Sequence, residues 1–266
     1  MIVVSFRCTT SAMDWMTNFA ATASEWELDE DLEQGHSGFC SCLEGRFFNS
    51  KPRVHTGFYN NILQTIPLLE KFVDPLLATG QPPRKLYVVG HSLGAGMSTM
   101  ATLYFLNKHR WQDLPQRLIN VSAGTPKSLK RDMAEKVESQ LAELAPLNKA
   151  VVLRVVMNED VVARVPFGYE HVGKLVFLTE DGHVLVGPRC DDAHVIDAKE
   201  MKEMAQAHPK LRELVASDDN NDEEEDTGGE LTAYQKKMKK MPRLFRDHCP
   251  DCYLAPLVKL MDGRYE

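Results

Sequence analysis

The chain of 266 residues has no long hydrophobic run and no excess of positive charge. Its apolar stretches are all shorter than the roughly 18 residues that a membrane-spanning helix needs, and the first one ends at Arg7, too early for a secretory signal. The formal net charge of −7 argues against nucleic acid as a partner, because phosphate binding needs clustered lysine and arginine. We therefore expect a cytoplasmic protein that neither spans a membrane nor binds nucleic acid.

Cysteine is also scarce and scattered. The six cysteines, at positions 8, 40, 42, 190, 249 and 252, are too few for a disulfide scaffold. Cys249 and Cys252 form a C-x-x-C next to His248, but a closed zinc site takes four ligands, and the C-x-C at 40–42 is far away in the sequence. No nucleotide-binding glycine pattern is present. The sequence thus predicts reduced thiols, with no metal, redox function or cofactor.

Hydrophobic residues alternate between short β-branched runs and longer helical segments, a pattern typical of a parallel sheet covered by helices. Continuous apolar runs predict central strands at 2–6, 86–89, 118–122 and 151–156. An Asp-Gly turn between 175–178 and 184–186 predicts an antiparallel hairpin. Helices are expected at 55–78, 95–109, 128–144 and 197–207. We predict an α/β fold with a mostly parallel central sheet and helices on both faces.

One segment cannot contribute to a core. Residues 217–230 are mostly acidic with almost no apolar side chain, which predicts disorder. A basic cluster follows, formed by Lys236, Lys237, Lys239 and Lys240. It is explained either as a solvated helix face or as a peripheral contact with a membrane surface. We predict one domain, 1–216 plus 241–266, interrupted by an insertion at 217–240.

A G-x-S-x-G pattern links a predicted strand to a predicted helix. Gly90, His91, Ser92, Leu93 and Gly94 follow the strand at 86–89 directly, which is the context of a nucleophile elbow. The chain must reverse there within a few residues, so only small residues fit beside the serine, whose backbone is strained. The pattern predicts a nucleophilic serine with its hydroxyl exposed above the sheet. A Ser-Gly turn that caps a buried helix is the alternative.

Six segments, in order, resemble the class 3 (fungal-type) lipases of the α/β-hydrolase fold. They are VVSFRCTTSAMDW at 3–15, VHTGF at 54–58, LYVVGHSLGAG at 86–96, VSAGTPK at 121–127, LRVVMNEDVVARVPF at 153–167 and DHCPDCYLAPL at 247–257. GHSLGAG is similar to the intracellular diacylglycerol lipase and phospholipase A1-like members. The resemblance implies a serine carboxylic-ester hydrolase acting on triacylglycerol, diacylglycerol or phospholipid. From the absence of a signal segment and from the lysine cluster at 236–240, we expect a cytoplasmic location, or a peripheral one on membranes or lipid droplets.

The sequence departs from the family at two positions. Cys8 stands where the family usually has glycine, and a positive φ there would cost about 1 to 2 kcal/mol or shift the loop. Family members also carry further elements ahead of the first strand, whereas here Met1 almost begins it, so the fold is N-terminally short and that strand has an exposed edge. The alternative function is a non-catalytic hydrolase-fold protein that binds or scaffolds, inactivated by these departures.

A serine nucleophile requires a histidine base and an acid, which follow it in this fold in the order acid, then histidine. Asp160 comes after the strand at 151–156 and matches the acid of the family, with Glu159 as its rival. Five histidines follow Asp160, at 171, 183, 194, 208 and 248. His194, in a polar loop, competes with His248, whose spacing to Tyr253 resembles that of the catalytic histidine of the family. We predict the triad Ser92, Asp160 and His248.

The resemblance also implies oxyanion and substrate contacts. The oxyanion donors are the backbone N–H of Leu93 and the loop at Thr9. Met13, Met16 and Phe19 lie on one face of the next segment and are predicted to line the acyl groove near a lid, although a core-facing helix would give the same pattern. The predicted substrate-binding residues are Met13, Met16, Phe19 and His91.

Overall fold

The computed structural model describes residues 1–8, 22–28, 51–78, 84–109, 111–179, 184–187 and 246–254. The strands are β1 (Ile2–Phe6), β2 (Ala23–Glu25), β3 (Arg53–His55), β4 (Lys85–His91), β5 (Arg117–Ala123), β6 (Ala150–Met157), β7 (Lys174–Leu178) and β8 (Val184–Val186). The helices are α1 (Thr56–Phe72), α2 (Asp74–Ala78), α3 (Leu93–Lys108) and α4 (Arg131–Leu144), with a 3-10 turn at Val162–Arg164.

Six strands form the main sheet in the order β1-β4-β5-β6-β7-β8, and β2 pairs with β3 in a separate ribbon. The first five strands are parallel, and β8 runs antiparallel to β7. The mostly parallel sheet is therefore confirmed, together with the hairpin pairing and the four predicted strands, of which three are central and β1 is not. Within the described part of the chain, β1 is an edge strand that pairs only with β4.

Helix α3 lies at the centre of the core and is buried on almost all sides. It packs against β1, β4 and β5 of the sheet and against α1, which explains why its sequence is apolar all round rather than along one stripe. Its few polar side chains are hydrogen-bonded: Ser98 Oγ donates to the Ala95 carbonyl (2.8 Å), and Asn120 Nδ2 donates to Thr102 Oγ1 (3.0 Å). This fixed helix carries the serine loop at its N-terminus.

Both faces of the sheet are covered. On β6, Ala150 and Val152 belong to the main core with α3, whereas Val155 and Met157 pack with Tyr253. In a strand, side chains two residues apart point to the same face of the sheet, and side chains an odd number of residues apart point to opposite faces. Val155 and Met157 therefore lie on the face opposite to Ala150 and Val152, and Tyr253 covers the face opposite to α3. The segment around residue 253 therefore packs on the sheet, although it is far from β6 in the sequence.

Two predicted helices differ from the observed ones by more than two residues at an end. The helix expected at 55–78 ends at Phe72 and restarts as α2, because Pro75 has no N–H and its ring would clash with the Lys71 carbonyl in a continuous helix. The helix expected from 128 begins at Arg131, since Leu129 bridges to Val54 and Glu170 instead.

The predicted helix at 197–207 and the insertion at 217–240 lie outside the described residues. Of the described helices, none has the length and apolar character needed to cross a bilayer.

Candidate active site

Ser92 occupies the sharp turn between β4 and α3, with φ 59° and ψ −126°. This conformation is rare for any residue with a side chain and costs of order 1 to 2 kcal/mol. Neighbouring backbone groups impose it: the Ser92 N–H donates to the Ala123 carbonyl (3.0 Å), and its carbonyl accepts from the N–H of Ala95 (2.9 Å) and Gly96 (3.1 Å). The turn has the strained backbone that the G-x-S-x-G pattern predicts.

The glycines of this turn are required by close contacts. A Cβ at Gly94 would lie 2.3 Å from the Phe6 carbonyl oxygen, and one at Gly90 would lie 2.1 Å from the Gly94 oxygen. Gly124, which follows β5 with φ +56°, is a third case. A Cβ there would lie 2.8 Å from Asp160 Oδ2. Sequence reasoning missed Gly124, and its signal was a glycine directly after a predicted strand.

Ser92, His248 and Asp160 form a continuous chain of hydrogen bonds. Ser92 Oγ lies 2.8 Å from His248 Nε2, and His248 Nδ1 lies 2.9 Å and 3.0 Å from the two Asp160 carboxylate oxygens. The three residues are 3%, 6% and 0% exposed. The expectation that the Ser92 hydroxyl is exposed is wrong, because the imidazole lies against it. The structure thus brings together the three residues predicted as a triad.

Asp160, rather than its neighbour Glu159, faces the histidine. Its Oδ1 accepts from the Val162 N–H (2.8 Å), and the Tyr253 hydroxyl donates to its Oδ2. Burial, followed by the nearby Asp160 carboxylate, raises the pKa of Tyr253 well above its usual value, so Tyr253 stays a neutral donor. The carboxylate is therefore oriented from several directions.

Residues 247–253 form what we call the histidine turn, and side chains of other segments fix it in place. Asp247 is buried, and its Oδ2 accepts from Asn158 Nδ2 (3.2 Å) and from the Glu159 N–H (3.1 Å). These two bonds join the histidine turn to the loop that carries Asp160. Sequence reasoning missed Asp247, because its partners are 88 and 89 positions away.

His91 supports the histidine turn from the other side. Its Nε2–H donates to the His248 backbone carbonyl (3.0 Å), and the two rings stack with centroids 4.9 Å apart. Burial, together with the proximity of His248, lowers the pKa of His91 to about 4, so the ring is neutral at physiological pH. The substrate-binding role predicted for His91 stays a prediction, since the structure places this ring on His248.

The oxyanion elements are described only in part. Leu93 is the first residue of α3, where backbone N–H groups have no acceptor within the helix. Among the described residues, positive φ at non-glycine positions occurs at Ser92, Asn148 and Asn158, so Cys8 does not carry the strain considered for it. The following predicted residues lie outside the described ranges and stay predictions: Thr9, Met13, Met16, Phe19 and the rival His194.

The other histidine that the structure describes beyond Asp160 is structural. His171 is half-buried, and its Nε2 lies 2.7 Å from the Ala163 carbonyl oxygen. No group of three or more His, Cys, Asp or Glu side chains within the described ranges is arranged to hold a metal ion.

Comparison with known proteins gives the family. The family model for lipase (class 3) matches residues 3–170, more than half of the chain. Phospholipase A(1) DAD1, chloroplastic, of Arabidopsis thaliana is 29% identical over 170 residues, which are 62% of this chain and 33% of that protein. This chain thus spans about a third of that relative's length.

Solved structures of lipases share the fold. A triacylglyceride lipase from Rhizomucor miehei matches with a TM-score of 0.55 at 19% identity, covering 74% of this chain and 66% of that one. A triacylglycerol lipase whose catalytic centre is formed by a serine protease triad matches with a TM-score of 0.54 at 20% identity, with the same coverage of both chains. The matched family segment includes Ser92 and Asp160, and His248 lies beyond it. The chain belongs to the class 3 lipase family and has the α/β-hydrolase fold.

Proposed function

We propose that this protein is a serine carboxylic-ester hydrolase that cleaves acyl esters of glycerolipids, with Ser92 as nucleophile, His248 as base and Asp160 as the orienting acid. One observation carries the proposal: the unbroken hydrogen-bond chain from Ser92 Oγ through both nitrogens of His248 to the Asp160 carboxylate. Membership of the class 3 lipase family supports an ester as substrate.

The first half of the reaction acylates the serine. His248 Nε2 accepts the Ser92 hydroxyl proton as Oγ attacks the ester carbonyl, and Asp160 stabilises the imidazolium through Nδ1–H. The developing oxyanion is met by the Leu93 N–H and, on our sequence prediction, by Thr9, each donor contributing about 10²- to 10³-fold in rate. His248 then donates its proton to the departing alcohol. The acyl group remains bound to Ser92 as an acyl-enzyme.

The second half hydrolyses the acyl-enzyme. Water takes the place of the alcohol, His248 removes its proton, and the resulting tetrahedral intermediate collapses to release the fatty acid and Ser92. Both halves need the imidazole to keep one orientation while its charge changes. The bonds of Asp160 to Val162 and Tyr253 and the support from His91 favour that orientation.

Glycerolipids are the proposed substrate class. The relatives found by comparison are named a phospholipase A1 and triacylglyceride or triacylglycerol lipases. We propose that the enzyme acts in the cytoplasm or peripherally at a membrane or lipid-droplet surface, where such substrates are found. The acyl groove at Met13, Met16 and Phe19 is part of this proposal.

Turnover of p-nitrophenyl butyrate by the purified full-length chain tests the activity, with Ser92→Ala as the matched control. We expect wild-type turnover and a loss of about 10⁴-fold or more in the variant. A series of esters with longer acyl chains tests the lipid class, since each buried CH₂ contributes about 0.8 kcal/mol to binding. A wild-type chain without turnover would contradict the proposal and favour a binding protein. A Ser92→Ala variant that keeps its turnover would show that Ser92 is not the nucleophile.

A further inference from the structure

The histidine turn contains two thiols that the proposed mechanism does not use. Cys249 follows His248 directly and Cys252 precedes Tyr253, and neither is in a disulfide or fully buried. The Cys252 N–H donates to the Cys249 carbonyl (3.0 Å). Such a bond closes a four-residue turn, in which the two Cα atoms lie within about 7 Å, and disulfides span about 4.4 to 6.8 Å between Cα atoms. The backbone therefore places the two cysteines at bridging distance.

We propose that Cys249 and Cys252 form a thiol–disulfide exchange site whose oxidation lowers the activity of the adjacent triad. The oxidant is a low-molecular-weight disulfide of the glutathione class. The Cys249 thiolate attacks one sulfur of the oxidant, its S–S bond breaks, and one thiol is released as the mixed disulfide forms. The Cys252 thiolate then attacks the Cys249 sulfur and releases the second thiol. Two protein thiols are oxidised and one disulfide is reduced to two thiols.

The position of Cys252 explains why a bridge would affect the triad. Its side chain packs against the cluster of Val155, Met157, Leu178 and Tyr253. In the proposed bridge, the sulfur would be drawn from this contact towards Cys249. Tyr253, the next residue, donates its hydroxyl to Asp160, so a shift of this turn moves a group that orients the acid. The effect on turnover rests on the proposed function, whereas formation of the bridge does not.

The surroundings of Cys252 make closure of the bridge the slower step. Burial, followed by the charges of Asp247, Cys249 and Asp251, raises the pKa of Cys252 to about 11 against the opposing effect of Arg246. Cys252 is therefore protonated at neutral pH, and only its small thiolate fraction attacks the mixed disulfide. The glutathione adduct on Cys249 is accordingly expected to appear before the bridge.

The test exposes the full chain to glutathione disulfide and maps the products by mass after digestion without reduction. In wild type we expect one peptide that contains both cysteines and has lost about 2 Da, the mass of two hydrogens. Turnover of p-nitrophenyl butyrate should fall about tenfold, the scale expected when a positioning group is displaced, and dithiothreitol should restore it.

Three variants decide between this site and other cysteines. Cys249→Ser and, independently, Cys252→Ala should form no bridge. Cys249→Ser should keep its turnover in oxidant, whereas Cys252→Ala should retain the glutathione adduct on Cys249. Cys8→Ser, which removes a partly exposed thiol outside the histidine turn, should respond as wild type does. The proposal is overturned if the bridged peptide is absent, if turnover is unchanged once the bridge has formed, or if Cys249→Ser is inhibited equally. In a chain without esterase turnover the mapped bridge alone decides, which separates failure of this inference from failure of the proposed function.

Discussion

The serine turn, residues 90–94, and the histidine turn are joined by two hydrogen bonds, between Ser92 Oγ and His248 Nε2 and from His91 Nε2–H to the His248 carbonyl. The two turns are nevertheless built in different ways. Backbone contacts fix the serine turn: Gly94 allows β1 to approach α3, and the Ser92 N–H and carbonyl are both bonded within the sheet and helix. The histidine turn is fixed by side chains, with Asp247 bonded to the 158–159 loop and Tyr253 to Asp160.

This difference separates two kinds of vulnerability. A change in the serine turn forces backbone atoms apart, so its main effect is on folding. A change in the histidine turn removes polar contacts around the imidazole, so its main effect is on turnover or on its pH dependence. The following predictions test this division.

The largest effect is expected for His248→Ala. Removing the base should lower kcat by about 10⁴-fold or more, while Asp160→Ala should lose no more than that, because the acid only orients and stabilises the imidazole. Both are checked by steady-state hydrolysis of a soluble p-nitrophenyl ester. His194→Ala is the matched control and should keep wild-type turnover. If His194→Ala is the inactive variant instead, the assignment of the base is wrong.

Gly94→Ala should strongly destabilise the fold at the serine turn. Its Cβ would lie 2.3 Å from the Phe6 oxygen and 2.9 Å from the Arg7 oxygen, both backbone atoms. We expect a loss of about 3 kcal/mol in the free energy of unfolding, measured in urea. Gly57→Ala, whose nearest contact is a side-chain atom of His55 at 3.3 Å, should change it by less than about 1 kcal/mol. Equal losses would mean that β1 does not approach α3 this closely.

His91 should make the histidine turn sensitive to acid. Its pKa is about 4 in the folded chain against 6.5 for the free imidazole, so between these values the unfolded state binds a proton that the folded state does not. Stability therefore falls as the pH drops from 6.5 towards 4. Asn at position 91 keeps a donor for the His248 carbonyl but does not titrate. From pH 7 to 4.5 wild type should lose about 2 kcal/mol more of its unfolding free energy than His91→Asn. An equal loss in the two chains would contradict the lowered pKa of His91.

The smallest effect concerns the strain at Ser92. Ser92→Gly and Ser92→Ala both lack the hydroxyl, but only glycine adopts φ 59° and ψ −126° without strain. We expect the glycine variant to be more stable than the alanine variant by about 1 to 2 kcal/mol in thermal or urea unfolding. An alanine variant at least as stable as the glycine variant would show that the turn stores no such strain.

The same contrast explains what could be predicted from the sequence. The serine turn is local: a strand, two glycines and a helix lie within a dozen residues, so the pattern was sufficient. Choosing His248 over His194 required resemblance to a family, because no local signal distinguishes the two loops. The bond from His91 to the His248 carbonyl joins residues 157 positions apart, and Asp247 and Gly124 act through contacts of the same long-range kind. Such contacts depend on the tertiary structure, so no local sequence pattern indicates them.

Active-site labelling tests directly whether His248 activates the Ser92 hydroxyl as a nucleophile. A p-nitrophenyl alkylphosphonate reacts with a serine hydroxyl that a neighbouring base activates and leaves a stable adduct that can be mapped by mass. We expect one adduct per chain, located on Ser92, with a labelling rate that falls by about 10³-fold or more in His248→Ala. An adduct on another residue, or equal labelling rates for wild type and His248→Ala, would contradict it.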